Sequence, residues 1–400
     1  MTSRRTLRTA YSFPPLVSEV LLRSTMTTAS RVLWRPRLEG REHFPVKGPC
    51  FVYGNHSNRW DPFIINCFTR PGRPTAGVMT REFFRNKFLA GVFGGVGVLP
   101  TRKRIAEPFL VRRVLELLQD DRIVLIFPEG GSRWNGRPLP WMRSTVKMFP
   151  RAGVPVHPLR LHGSYASFPR WADYPRPAKV VVEARPPRIL DRAAPLERCI
   201  RDLYAETDFD DGDLAKAYRP TRAYRPAAGI HRLLYRNPWD GGGALYTDDG
   251  WIVHTGSGTM RMRPDSTLVD RDGREHRSAD LYAMVRALPV EPDKGGVVLS
   301  DDVDLSVERQ FPDLEPYGAA IATLYPDRIA VRSNTFDRTI ELDRVGYCDI
   351  ERNNKLQLYL ADGSESMMQF TFARLGSPLQ WKDALERIRP EMVEPGLRKE

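Results

Sequence analysis

Residues 50–205 alternate short apolar runs with longer amphipathic ones, and this alternation limits the fold more than any other feature of the sequence. Short apolar runs are typical of strands buried on both faces of a sheet. Apolar residues spaced three and four apart are typical of helices that cover such a sheet. The pattern therefore predicts an α/β domain with a mixed sheet and flanking helices. Strands are expected at 50–53, 122–127, 154–159 and 179–183, and helical periodicity at 83–89, 107–119 and 195–205.

The stretch 54–62 follows the first expected strand and places His56 five positions before Asp61. On a regular helix the two side chains would point about 140° apart, so they meet only if the backbone turns between them. Gly54 and Asn55 permit such a turn. An imidazole held by a carboxylate is the working part of a general base, although buried histidines also bond carboxylates for structural reasons. The sequence has no Gly-x-Ser-x-Gly elbow, so we expect the base to act on a substrate hydroxyl.

Three further blocks follow in order along the chain. Residues 97–104 form a glycine-bearing apolar stretch that ends in the cations Arg102, Lys103 and Arg104. Residues 123–133 form a strand core that opens at Pro128 into a glycine-rich loop. Residues 154–159 are another short apolar segment. Clustered cations beside a glycine-rich loop suit an anionic ligand.

In order and spacing the four blocks, within residues 30–205, resemble the glycerophospholipid acyltransferase family of the lysophosphatidic-acid type. The resemblance implies transfer of a fatty acyl group from acyl-CoA or acyl-carrier protein to a lysophospholipid hydroxyl, first of all that of 1-acyl-glycerol-3-phosphate, without metal or cofactor. Glycerol 3-phosphate or another lyso-polar lipid is the alternative acceptor. His56 would be the base and Asp61 its orienting partner. The family usually continues the third block with Thr-Arg-Ser, so the cation here is displaced by one position. The residues implied in acceptor binding are Arg102, Lys103, Glu129, Gly130, Gly131, Ser132 and Arg133.

The positive charge lies in the first half of the chain. Residues 1–200 hold 34 Lys and Arg against 14 Asp and Glu, whereas residues 201–400 hold 27 against 35. Such a surface fits an anionic lysolipid, a membrane surface or nucleic acid. The absence of helix-turn-helix, RNP and zinc-finger patterns argues against nucleic acid.

Cysteine usage and hydropathy bear on where the protein is found. The four cysteines are widely spaced, which predicts neither disulfides nor a metal knuckle and indicates a reducing compartment. The longest uncharged apolar run, 88–99, is short of the about 20 residues that a bilayer crossing needs. We therefore expect a cytoplasmic protein, peripheral to the inner face of the membrane, without a transmembrane helix.

The rest of the chain changes composition several times. Six strand-like segments and a helix capped by Ser377 close the sequence and look like a pleckstrin-homology-type barrel. A non-catalytic lipid-binding adaptor that works through this region is the alternative to an enzyme. The expected parts are an amphipathic segment at 1–34, the acyltransferase domain at 35–205, an Asp- and Arg-Pro-rich linker at 206–238, a small β-hairpin module resembling a metal-less ribbon with a connector at 239–316, and the β-rich region at 317–400.

Overall fold

The computed structural model describes residues 12–102, 107–213, 218–334, 336–361 and 367–390. The chain divides into two compact units. Unit 1 comprises the described residues of Met1–Pro169 and Pro175–Ala223. Unit 2 comprises Arg170–Tyr174 and the described residues from Tyr224 onward.

Unit 1 is built on a seven-stranded mixed sheet. Its strands are β1 (Arg37–Glu39), β2 (Cys50–Gly54), β3 (Ala76–Thr80), β4 (Val98–Thr101), β5 (Ile123–Ile126), β6 (Val156–His162) and β7 (Val181–Ala184). They lie in the order β1-β7-β6-β2-β5-β3-β4. Strands β2 to β6 are parallel, and β7 runs antiparallel to β6. The predicted α/β domain with a mixed sheet is therefore confirmed, and β1, β3 and β4 are added to the predicted strands.

Helices cover the sheet of unit 1. They are α1 (Pro15–Leu22), α2 (Thr28–Trp34), α3 (Asp61–Asn66), α4 (Lys87–Gly95), α5 (Pro108–Gln119), α6 (Arg143–Val146), α7 (Met148–Ala152), α8 (Ser164–Ser167) and α9 (Leu196–Tyr204). Helix α5 starts at a proline, which suits the first turn, and buries Val114, Leu117 and Leu118. In the described part of the chain, every helix is too short or too polar to span a bilayer.

The predicted amphipathic segment at 1–34 is helical over residues 15–34. A π-helical turn, Arg23–Thr27, joins α1 to α2. Trp34 at the end of α2 is fully buried, and its ring meets the ring of Trp60 edge-to-face at 5.6 Å. The segment therefore packs within unit 1, and α1 keeps an apolar outer face exposed.

The predicted linker, 206–238, is divided between the two units. Residues up to Ala223 belong to unit 1 and those from Tyr224 to unit 2. The composition resembled a linker because acidic residues are usually solvated, but Asp211 is fully buried and hydrogen-bonded to the loop that carries His56. The described part of residues 206–223 therefore belongs to unit 1 and does not act as a linker.

Unit 2 begins with a small antiparallel sheet, in the region where a β-hairpin module was predicted. Its strands are β8 (Ile252–His254), β9 (Thr259–Met262), β10 (Thr267–Val269) and β11 (Glu275–Arg277), and helix α10 (Ser278–Ala287) follows. The strand order is β11-β10-β9-β8.

The rest of unit 2 is a seven-stranded antiparallel sheet followed by a helix, so the predicted β-rich C-terminal region is confirmed. Its elements are β12 (Leu299–Glu308), β13 (Glu315–Leu324), β14 (Arg328–Arg332), β15 (Asp337–Glu341), β16 (Val345–Glu351), β17 (Lys355–Leu360), β18 (Met367–Phe372) and α11 (Pro378–Ile388). The order is β15-β14-β13-β12-β18-β17-β16. This sheet begins at Leu299, within the predicted connector. Four of the ten residues of β12 are acidic, which concealed its strand pattern in the sequence. Asp302 and Asp304 are exposed, whereas Glu308 is buried and Asp301 accepts a hydrogen bond from Trp381 Nε1 at 2.7 Å. Ser377 caps α11 by accepting a hydrogen bond from the backbone N–H of Gln380 at 3.2 Å.

Candidate active site

The site lies where two adjacent parallel strands end. Strands β2 and β5 are paired so that Tyr53 lies beside Ile126. His56 and Glu129 each stand at the third position after that pair, and the register therefore brings their loops together. The backbone N–H of His56 donates to Glu129 Oε1 at 3.4 Å, and the N–H of Arg133 donates to the carbonyl of His56 at 2.8 Å. The first and third sequence blocks thus form one structure at the carboxyl edge of the sheet.

Asp61 fixes the imidazole of His56. The distance from His56 Nδ1 to Asp61 Oδ2 is 3.0 Å. The same oxygen accepts the backbone N–H groups of Ser57 and Asn58, each at 2.9 Å, and the hydroxyl of Ser164 donates to the other oxygen. Asp61 is fully buried and begins α3. A carboxylate held this firmly sets the tautomer, with the proton on Nδ1 and a lone pair on Nε2.

The other side of the imidazole is open to a reactant. The His56 ring stacks on Phe127 at a centroid distance of 4.3 Å, and 19% of its side chain is exposed. Among the described residues, Nε2 has no hydrogen-bond partner. One nitrogen is therefore held by the protein and the other can take a proton, which is the arrangement of a general base.

Behind the histidine lies a buried ion pair between Glu129 and Arg133. Arg133 Nη2 is 2.8 Å from Glu129 Oε1, and Nε lies 3.0 Å from Oε2. The remaining donors of the guanidinium reach the carbonyls of Phe209 and Thr207 at 2.8 and 3.0 Å and the carboxylate of Asp211 at 3.0 Å. Neither side chain of the pair is more than 1% exposed. All five N–H groups of Arg133 are thus bonded within the protein.

Asp211 is the third member of this cluster and lies 78 residues after Arg133 in the chain. Its carboxylate accepts the amide of Asn55 at 3.0 Å and the hydroxyl of Ser57, the two neighbours of His56, as well as Arg133. Burial raises the pKa of Asp211 to about 7, against the lowering effect of Arg133. Burial also raises the pKa of Glu129. Burial outweighs the guanidinium that the two carboxylates share, so neither is as acidic as a solvated carboxyl.

Known proteins match the part of the chain that carries this site. Residues 35–162 match the family described as Acyltransferase. A 1-acyl-sn-glycerol-3-phosphate acyltransferase of Pseudomonas aeruginosa is 28% identical over 152 residues, which is 37% of this chain and 58% of that protein. The human 1-acyl-sn-glycerol-3-phosphate acyltransferase alpha is 31% identical over 138 residues, 34% of this chain and 47% of the human protein. Residues 35–162 form an acyltransferase-family domain.

The resemblance inferred from the sequence blocks is thereby confirmed for this domain. The chain spans about half the length of the curated relatives that it matches, 58% and 47%. The crystal structure of a 1-acyl-sn-glycerophosphate acyltransferase from Thermotoga maritima is similar at a TM-score of 0.39 and 17% identity, over 47% of this chain and 79% of that one.

The acyltransferase-family domain places the predicted acceptor-binding residues in two groups. Glu129 and Arg133 lie beneath the loop, engaged with each other, so Arg133 is not presented to a ligand as the sequence predicted. Gly130 has a φ of +66°, a left-handed conformation that favours glycine, and lets the loop turn after Glu129. Gly131 and Ser132 follow and are partly exposed.

The second group belongs to the block that follows β4. Arg102 stands directly after this edge strand, with 42% of its side chain exposed and its Nε 3.4 Å from Glu107 Oε1. Lys103, the neighbouring predicted ligand, lies outside the described residues. Arg102 is therefore the described cation of this block that a ligand can reach.

Three residues that support His56 were not found from the sequence. Phe127 stacks on its ring, Ser164 bonds its carboxylate partner, and Asp211 bonds its chain neighbours. Phe127 lies in the third block but has no chemical signature of its own. Ser164 and Asp211 are more than a hundred residues away along the chain, and no local pattern indicates which distant hydroxyl or carboxylate will face a given loop.

Proposed function

We propose that this protein is an O-acyltransferase that moves a fatty acyl group from acyl-CoA or acyl-carrier protein to the hydroxyl of a lysophospholipid in phospholipid biosynthesis. The matched relatives are named for 1-acyl-sn-glycerol-3-phosphate, which makes this lipid the first acceptor to test. The observation that carries the proposal is the His56–Asp61 pair, whose Nδ1 is held at 3.0 Å.

The reaction follows from that pair. His56 Nε2 removes the proton from the acceptor hydroxyl, and the resulting oxygen attacks the carbonyl carbon of the acyl thioester. The tetrahedral intermediate collapses, the carbon–sulfur bond breaks, and the imidazolium returns its proton to the departing thiolate. Asp61 stabilises the imidazolium between the two proton transfers. The products are the diacyl lipid and the free thiol.

A cavity beside the histidine suits the acyl chain of the donor. It is partly open to solvent, and Phe127, which stacks on the His56 ring, forms part of its wall. The wall also includes Pro62, next to Asp61, and the apolar side chains of Phe63, Met79 and Phe93. An acyl chain in this cavity would bring its thioester carbonyl close to the base.

The anionic head of the acceptor belongs, on this proposal, at the carboxyl edge of the sheet. Arg102 follows β4, and three strand spacings of about 4.8 Å separate β4 from β2, which precedes His56. A phosphate on a glycerol bound at His56 can bridge part of that distance, and the long side chain of Arg102 covers the rest. The loop of Gly130, Gly131 and Ser132 follows β5, one of the two strands between β2 and β4.

Attachment to a membrane surface is supported by the outer face of α1. Leu16, Val17 and Val20 are 72%, 46% and 56% exposed, whereas Glu19 and Leu22 of the same helix line the cavity. Phe88 on α4, the helix that packs on α1, is 57% exposed. With its outer face in the lipid and its inner face lining the cavity, α1 would leave both lipid substrates only a short distance to travel from the membrane to the site.

The C-terminal sheet has the features on which we propose a pleckstrin-homology-like fold. All seven strands are antiparallel, the first strand pairs with the last, and a single helix follows them. Trp381 of α11 packs edge-to-face on Phe370 of β18 at 5.8 Å. We propose a structural or protein-contact role for this sheet, since residues 201–400 are acidic overall.

The test is acyl transfer by the His56→Ala variant. Purified protein is incubated with labelled long-chain acyl-CoA or acyl-carrier protein and with a panel of lyso-lipids and glycerol 3-phosphate, and product is separated by chromatography. We expect His56→Ala to lose at least about 1,000-fold in turnover, because the proton acceptor is gone. His254→Ala is the matched control, since His254 also pairs with an aspartate, Asp248 at 3.3 Å, but on unit 2.

Two results would contradict the proposal. Wild-type turnover in His56→Ala would remove the base from the mechanism. Binding of a lyso-lipid by the wild-type protein with no product from any donor would favour the lipid-binding adaptor.

A further inference from the structure

Three buried side chains, those of Glu129, Arg133 and Asp211, meet behind the loop that carries His56. Only Asp211 lies outside the segment matched by the family. Glu129 and Arg133 lie within residues 35–162. Asp211 lies beyond it, in the stretch whose composition resembles a linker. Its backbone N–H donates to the carbonyl of Gly136 at 2.9 Å, which secures this stretch against the loop after Arg133.

The contacts of Asp211 fall on both sides of His56 in the chain. Asn55 precedes the histidine and donates its amide to Asp211 Oδ1 at 3.0 Å, while its own Oδ1 accepts the N–H of Leu161 at 2.8 Å. Ser57 follows the histidine and donates its hydroxyl to Asp211 Oδ2, while its N–H is bonded to Asp61 at 2.9 Å. The backbone that carries the imidazole is thus held at each end.

The same carboxylate also reaches the second loop of the site. Arg133 Nη1 lies 3.0 Å from Asp211 Oδ2, and the N–H of Arg133 holds the carbonyl of His56 at 2.8 Å. A single buried carboxylate therefore joins the loop after β2 to the loop after β5. Each of its three donors is buried, so none can turn to water if the carboxylate is removed.

We propose that Asp211 is a positioning residue of the active site, which fixes the backbone on both sides of His56 and thereby the place of the imidazole. It does not touch the reacting atoms and acts through Asn55, Ser57 and Arg133. The kinetic test of this inference rests on the proposed function, because it measures acyl transfer. The catalytic unit accordingly extends past the matched segment, to at least residue 211.

The test compares Asp211→Asn with Asp208→Asn. Asparagine keeps the size of the side chain but puts an amide donor where an oxygen accepts from buried donors. Asp208 is an exposed carboxylate of the same stretch, so its variant controls for charge. We expect kcat of Asp211→Asn to fall about 10- to 100-fold, as for a reacting group displaced by up to about 1 Å. KM for the acyl donor should stay unchanged, because the cavity shares no residue with the Asp211 contacts, and Asp208→Asn should match the wild type.

A second readout does not depend on turnover. The ring-proton resonances of His56, assigned by their loss in His56→Ala, sense the ring current of Phe127 stacked 4.3 Å away. Asp211→Asn should shift these resonances and leave those of His43 and His157, which also lie in unit 1, in place, whereas a loss of unit 1 structure would move them all. If His56→Ala keeps its turnover, the proposed function fails, yet a shift in Asp211→Asn still supports the positioning role.

The positioning role is overturned if Asp211→Asn folds with wild-type kcat and unshifted His56 resonances. If Asp211→Asn does not fold, Ser57→Ala decides, since it removes one donor to Asp211 and leaves the Ser57 backbone bond to Asp61. A several-fold fall in kcat with shifted His56 resonances then supports the role, and wild-type values of both overturn it.

Discussion

Replacing Arg133 by alanine separates two roles that this residue could have. A ligand for the acceptor's phosphate would be needed for binding but not for folding. The structure instead shows a guanidinium that is 1% exposed and bonded to the two buried carboxylates of Glu129 and Asp211. Its removal leaves both without a cationic partner, in a place where water does not reach. Breaking a buried ion pair by removing one partner typically costs about 3–5 kcal/mol.

That cost translates into a measurable shift. For a domain of about 150–250 residues, 1 kcal/mol lowers the melting temperature by about 2–4 °C, so Arg133→Ala should lower that of unit 1 by about 6–20 °C. Differential scanning calorimetry of the full chain measures it. Arg102→Ala is the matched control: its side chain is 42% exposed and its ion pair with Glu107 spans 3.4 Å, so stability should change by less than about 1 kcal/mol.

Enzyme kinetics distinguish the two arginines further. We expect Arg102→Ala to raise KM for the phosphorylated acceptor at an unchanged melting temperature. The reasoning is refuted if Arg133→Ala melts at the wild-type temperature and shows only a raised KM for the acceptor, because the guanidinium would then serve the ligand and not the fold.

Two further outcomes follow from the acidic cluster and from α1. The folded-state pKa of Asp211, raised by burial to about 7, lies above the ordinary value of 3.8, so its contribution to stability is fully present below pH 4 and is lost as the pH rises through 7. The melting temperature of the wild type relative to Asp211→Asn should therefore fall between pH 5 and pH 8, and a constant difference would contradict the shift. Replacing Leu16 and Val20 together by aspartate should abolish co-sedimentation with anionic lipid vesicles. The control is Ile189→Asp, which alters a side chain that is 73% exposed elsewhere in unit 1 and should leave co-sedimentation unchanged. An equal loss in both variants would show that lipid binding does not depend on the outer face of α1.

The sequence alone determined the parts of this protein that depend on neighbours in the chain. Apolar runs predicted β2, β5, β6 and β7, since strands buried on both faces of a sheet are mostly apolar. The spacing of His56 and Asp61 after a strand predicted a turn that joins them, and their nitrogen and oxygen lie 3.0 Å apart. Ser377 and Pro378 marked the start of the last helix, because caps act within one turn.

Only the tertiary structure decided what lies behind the active-site loop. The register of β2 on β5 sets His56 beside Glu129, and register is a property of two strands and not of either sequence. Arg133 was predicted to bind a ligand because it follows a glycine-rich loop. The carboxylates that surround it are Glu129, four residues earlier, and Asp211, from a stretch whose composition predicted exposure to solvent. Burial and partnership between residues so distant in the chain depend on which surfaces pack together. The pairing of His56 with Asp61 could therefore be predicted from local spacing, whereas the distant groups that hold the pair in place could not.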